Sequence, residues 1–122
     1  MFFPDPFRGI REMLRVVKSR GRVAAAVWSG ERANPFHFVL SDSIAKYIPP
    51  VTPGPDDPTA FRFAPRGKLA QVFETAGARD VTESVLRFTV AVGKTPDEFW
   101  QMRAEMSDAN REKLAAFIGR AS

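Results

Sequence analysis

Glu12 to Trp28, EMLRVVKSRGRVAAAVW, decides the fold reading, because it holds a helix end, a turn and an apolar run in immediate succession. Upstream, Ile10, Met13, Leu14 and Val17 recur at i, i+3, i+4 and i+7, while Arg8, Arg11, Arg15 and Lys18 follow the same spacing on another face. This pattern predicts an amphipathic helix with a basic outer face. Asp5 and Pro6 mark its start, since an Asp side chain accepts from an orphan amide and Pro fits the first turn. Lys18 and Arg20 suit the negative end of the helix dipole, and Gly21 can take the left-handed conformation that closes a helix. Arg22 to Trp28 (RVAAAVW) then reads as a strand buried on both faces. Met1 to Phe3 reads as the end of an earlier strand. Strand end, helix and strand together predict the crossover unit of an open α/β sheet. A strand that opens at Met1 has few residues with which to pair, so the first part of the sheet is expected to be missing.

Working outward, Ser29, Gly30 and Asn34 form turn signals before Pro35, and a short helix is expected from there to about Tyr47, with Phe36, Val39, Leu40 and Ile44 on one side. Six of the ten prolines (Pro49, Pro50, Pro53, Pro55, Pro58, Pro65) follow, a density that neither ladder nor helix accommodates. Long loops of this kind are lids, binding loops or plain surface excursions. A helix over Pro65 to Ala76 is expected to turn Leu69, Val72, Phe73 and Ala76 inward and to stop at Gly77. Arg79 to Val92 is expected as a strand with Leu86, Phe88, Val90 and Val92 on one face. Thr95, Pro96, Asp97 and Glu98 read as a capping box that starts a helix bearing Phe99, Met102 and Met106. A last helix is expected near Asn110 to Ile118, ending at Gly119. No internal repeat is visible.

The chain has 122 residues, 44% of them hydrophobic and 26% charged, as in an ordinary soluble globular domain. One domain over residues 1–122 is therefore expected, with residues 29–64 as an insertion. No apolar run reaches the length of a membrane span, and MFFPDPFRGIRE lacks the apolar core of a signal peptide, so a cytoplasmic location without membrane is expected. Without Cys there are no disulfides, thiolate metal sites or cysteine nucleophile. A single His leaves carboxylates as the other metal ligands, a set that does not suit zinc, and no metal is expected. The net charge of +4 comes entirely from residues 1–22, where six basic groups face Asp5 and Glu12. No aromatic residues interleave Arg8 to Arg22 as a stacking platform would require, so no nucleic-acid partner is expected.

EMLRVVKSRGRVAAAVW resembles the segment of class I S-adenosylmethionine-dependent methyltransferases, especially the ubiquinone/menaquinone-biosynthesis type, in which a helix ending L-[RK]-V-L-K-P-G-G-[RK] feeds the fifth strand. Leu69 to Val81, LAQVFETAGARDV, is similar to that family's L-x-x-x-L-x-x-A-G-F-x-D-V before the sixth strand. Pro96 to Trp100, PDEFW, resembles a helix in the substrate-facing part of some members. Order and spacing agree across nearly the whole chain. Ser19 and Arg20 stand where the family has Pro-Gly, and Ala78 stands where it has an aromatic residue. The family's cofactor half, with its E/D-x-G-x-G-x-G loop and its ribose-binding acid, has no counterpart: no two of the eight glycines are separated by one residue. A closing antiparallel strand is not visible after Ile118. The resemblance therefore implies an α/β fold with an incomplete Rossmann-like sheet: the end of strand 4, a helix, strand 5, a helical insertion, a helix, strand 6 and C-terminal helices.

The same resemblance gives the candidate site residues. Asp5 follows the strand 4 stub, where the family's loop faces methyl donor and acceptor, so it orients a nucleophile, accepts its proton, or simply caps the helix. His37, in the helix similar to the acceptor-side insertion, is either a general base or a packing residue between Phe36 and Phe38. Trp28, at the C-terminal end of its expected strand, packs against the acceptor or closes the core edge. Phe36, Phe99 and Trp100, with Met102 and Met106, line an apolar pocket for a quinone-like ring or form core. The implied function is the acceptor-side part of an S-adenosylmethionine-dependent small-molecule methyltransferase, with a small-molecule acceptor as partner. The missing glycine loop implies that this chain alone neither binds S-adenosylmethionine nor transfers a methyl group. The alternative is a noncatalytic α+β module that dimerises through the strand edges Met1 to Phe3 and Arg79 to Val92, or shelters a small apolar ligand.

Overall fold

A computed structural model describes residues 1–106 together with Arg111, Glu112, Ala115, Ala116 and Gly119. Up to Met106 the described residues form α1 (Pro6–Val16), α2 (Pro35–Ala45), α3 (Lys68–Thr75) and α4 (Pro96–Glu105) in chain order, with a short 3-10 turn at Glu31–Ala33 before α2. No residue among those described is in a strand. Contacts divide the chain into two units, Met1–Pro35 with Thr52–Leu86, and Phe36–Val51 with Arg87–Ser122.

In the first unit α1 starts where the sequence places it. Asp5 takes an extended conformation, Pro6 follows, and the Arg8 amide donates to Asp5 Oδ1 at 3.0 Å. α1 packs on α3, and Ile10 from α1 and Phe73 from α3 are both buried. Phe63, from the Pro-rich loop, is buried too and shares a small cavity with these helices. Burying each of these three side chains contributes about 1.5–3 kcal/mol. The loop is tied down by polar contacts: Arg62 Nη1 donates to the Phe3 carbonyl at 2.7 Å, and Lys68 Nζ to the Pro55 carbonyl at 2.6 Å and Asp56 Oδ1 at 3.1 Å. The Gly67 amide at the start of α3 donates to Glu83 Oε1 at 3.0 Å, placing a negative charge at the positive end of the helix. Gly77 closes this helix with φ 105°, a left-handed conformation that a side chain would strain.

In the second unit Leu40 and Ile44 of α2 are buried, as is Arg103 of α4. The capping box of α4 is complete: the Glu98 amide donates to Thr95 Oγ1 at 3.3 Å and the Thr95 amide to Glu98 Oε2 at 2.8 Å. The expected helix near Asn110 to Ile118 falls mostly on residues outside those described.

The expected α/β sheet is not formed, and the incomplete Rossmann-like architecture is corrected to a helical one. Neither Met1 to Phe3, Arg22 to Trp28 nor Arg79 to Val92 pairs as a strand. A strand exists only through a ladder to a neighbour, whereas an apolar run announces burial without naming a partner. Three of the seven residues of RVAAAVW are Ala, a poor strand former, and all three are exposed. Ala25, Ala26 and Val27 of that segment border the same cavity as Ile10 and Phe73. In the third segment residues 82–98 are all exposed, including Leu86 and Phe88 at 77% and Val90 at 68%. Left-handed non-glycine residues lead into both longer segments, Arg20 with φ 62° and Asp80 with φ 55°. The end of α1 also differs from expectation. The helix stops at Val16, and Arg20, not Gly21, takes the left-handed conformation. Gly21 is required by space: a Cβ there would collide with Val17 Cγ1 and lie 2.7 Å from the Lys18 carbonyl oxygen.

Candidate functional site

Three of the residues singled out as acceptor contacts come together in the second unit. Phe36 enters with the first turn of α2, immediately after Pro35. Its ring meets the edge of Phe99 at a centroid distance of 5.6 Å and an interplanar angle of 81°. His37 stands edge-on to Phe36 as well, at 5.4 Å and 84°. Such T-shaped pairs set the positive rim of one ring against the negative face of the other and contribute about 0.5–1.5 kcal/mol each beyond burial.

A fourth residue, Arg103, completes the cluster. It follows Phe99 by four positions, so both project from one side of α4, and the capping box at Thr95 and Glu98 fixes where that side begins. The Arg103 guanidinium carbon lies 4.3 Å from the Phe36 ring centroid, close enough for a cation–π interaction. Arg103 is only 9% exposed. Its Nε–H is buried with no hydrogen-bond partner among the described residues, and no ion pair to it is formed among them. Burial pushes its pKa below the ordinary Arg value by taking the charge out of water. The group still carries its charge at neutral pH, because Arg starts so far above that range.

The other expected site residues are elsewhere. Trp100 is on α4 next to Phe99 and 39% exposed. Met102 is half-buried and Met106 exposed. Trp28 and Asp5 belong to the first unit, and Asp5 acts there as the cap of α1. The first unit also holds an apolar cavity of about 110 Å³ bordered by Ile10, Met13, Val27, Phe63, Leu69 and Phe73. That volume is well under the roughly 300 Å³ at which small-molecule pockets begin. Among the described residues no three His, Asp or Glu side chains gather as metal ligands.

Among the described residues the positive-φ glycines do not gather in one loop. Gly67, Gly77 and Gly93 have positive φ, but each serves a separate turn, and a Cβ at any of them would meet nothing within 4 Å. A phosphate- or nucleoside-binding loop instead needs successive glycines where backbone and ligand approach closely.

Sequence reasoning missed Arg103 and Phe63. Arg103 carried one usable signal, its four-residue spacing from Phe99 on a helix face already read as apolar. Phe63 carried none, because its burial depends on a loop without periodicity. Compared with known proteins, the chain matches no family model, no curated protein and no solved structure.

Proposed function

We propose that this chain binds a small acceptor molecule at the Phe36, His37, Phe99 and Arg103 cluster and serves as the acceptor-side part of an S-adenosylmethionine-dependent small-molecule methyltransferase, without donor binding or catalysis of its own. The observation that carries this reading is the convergence on the Phe36 ring of its neighbour His37 and of Phe99 and the buried Arg103 cation, the last two more than 60 positions away on α4. Aromatic edges and a fixed charge are the elements that orient a flat, mostly apolar molecule.

The test uses menadione as a quinone-like probe, with a Trp28→Phe background so that Trp100 reports. Saturable quenching is expected, weakened about three- to tenfold by Phe36→Ala or Phe99→Ala, the loss of one ring contact. Calorimetry with S-adenosylmethionine is expected to show no micromolar binding. Quenching indifferent to both substitutions removes the acceptor site, and micromolar donor binding removes the claim that this chain lacks a donor site.

A second reading, a noncatalytic self-associating module, is favoured by one observation. Val85, Leu86, Phe88, Val90 and Val92 form an exposed apolar stretch without a covering element among the described residues. Such stretches mark contact surfaces. A dimer in light scattering that ignores menadione and S-adenosylmethionine would favour this reading.

A further inference from the structure

Arg103 poses an energetic problem that its neighbours among the described residues do not solve. A guanidinium carries five N–H donors, and an unpaired charge taken out of water loses several kcal/mol of hydration even after relaxation. The Phe36 face returns only part of this. It supplies no acceptor for the in-plane N–H groups, and the Nε–H stays unsatisfied. Buried donors of this kind are rare in native proteins, where such groups are otherwise paired. An oxygen acceptor lying in the guanidinium plane meets the deficit, and one carrying negative charge offsets the lost hydration as well. Glu105, the nearest acid along α4, is exposed and hydrogen-bonds Gln101 at 3.4 Å, so it is not placed to serve. One turn of helix separates Arg103 from Phe99, and Phe36 stacks on the cation from α2, so the fork is held in place before a ligand arrives.

We propose that Arg103 is an anion-binding residue, and that the molecule accepted at the cluster presents an anionic oxygen to its Nε–H edge beside an apolar ring contacting Phe36 and Phe99. This deepens the acceptor reading above and rests on it only for the place of binding, not for methyl transfer. Carboxylate and ionised hydroxyl groups share the required chemistry, and a free inorganic anion satisfies the same donor without the ring.

The experiment follows the Arg103 Nε–H resonance in ¹⁵N-labelled full-length protein, assigned by its loss in Arg103→Met. Benzoate, its neutral isostere benzamide and inorganic phosphate are the probes. Benzoate is expected to shift the resonance saturably, benzamide is not, and Arg103→Met should weaken benzoate binding by about tenfold or more, as loss of a charge-assisted hydrogen bond does. Phosphate acting as strongly as benzoate would keep the anion and remove the ring. A resonance indifferent to benzoate and phosphate, or equally responsive to benzamide, overturns the proposal. A second readout separates binding from structure. Because Met fills similar space without charge, Arg103→Met should melt at a higher temperature than the parent. A lower melting temperature together with unchanged benzoate affinity would make Arg103 a structural residue and end the argument. Menadione binding that survives while benzoate binding is absent would leave the acceptor site standing and remove only its anionic character.

Discussion

Replacing Phe88 by Ser separates the observed arrangement from the sheet that the sequence predicts. Phe88 is 77% exposed. Roughly a quarter of its surface is covered, so out of the 1.5–3 kcal/mol that full burial of a Phe contributes, about 0.4–0.7 kcal/mol is at stake. In a paired, covered strand the same change would empty a core position and cost about 3–5 kcal/mol. Urea unfolding followed by circular dichroism resolves a gap of that size, since midpoint and slope together give the free energy. Phe73→Ser provides the scale, because Phe73 is 8% exposed between α1 and α3 and should lose about 3–5 kcal/mol. Each variant is unfolded at two protein concentrations about a hundredfold apart, because any association that protects the folded form makes stability concentration-dependent. A loss above about 2 kcal/mol for Phe88→Ser at both concentrations would mean that the side chain is covered within the chain, and the reasoning from its exposure would be wrong. A loss that appears only at the higher concentration would place Phe88 between copies and promote the self-association reading.

Other expectations follow from local geometry. Thr95→Ala removes one of the two reciprocal bonds of the α4 cap and should lower stability by about 1 kcal/mol, with Thr95→Ser close to neutral, both measured by urea unfolding. Because Phe99 and Arg103 are positioned by that cap, Thr95→Ala should also weaken menadione quenching in proportion to the frayed population. Gly77→Ala should cost about 1–2 kcal/mol, since φ 105° is open to glycine and strained for alanine. Gly30→Ala, at φ −53° with nothing within 4 Å of the added carbon, should be neutral or slightly stabilising in the same assay. Equal losses for the two glycines would contradict the assignment of backbone strain to Gly77.

The features legible in the sequence are those decided within one turn of chain. Asp5 with Pro6, and Thr95 with Glu98, announce helix starts because a cap satisfies amides only two or three residues away. Phe73, Leu40 and Ile44 were placed inward by helical period alone. That the three expected strands do not form was not legible. RVAAAVW and the alternation from Leu86 to Val92 describe which side chains prefer to leave water, and whether a partner backbone arrives is a property of distant residues. Within the candidate site, the apolar rings were found from their spacing, whereas their meeting between α2 and α4 was not. The role of Arg103 was hidden for a related reason: a charged residue on a helix reads as solvated until the aromatic ring that covers it is known.

The stretch from Thr82 to Glu98, exposed along its whole length, includes the point at which the chain leaves the first unit for the second, between Leu86 and Arg87. A protease nick at that point would yield two pieces, one ending at Leu86 and carrying Phe36, the other bearing Phe99 and Arg103. The stack of Phe36 with Phe99 and the guanidinium above it would then act as a clasp between separate polypeptides, so the molecule offers a natural place to be split and its reassembly would report on whatever fills the clasp.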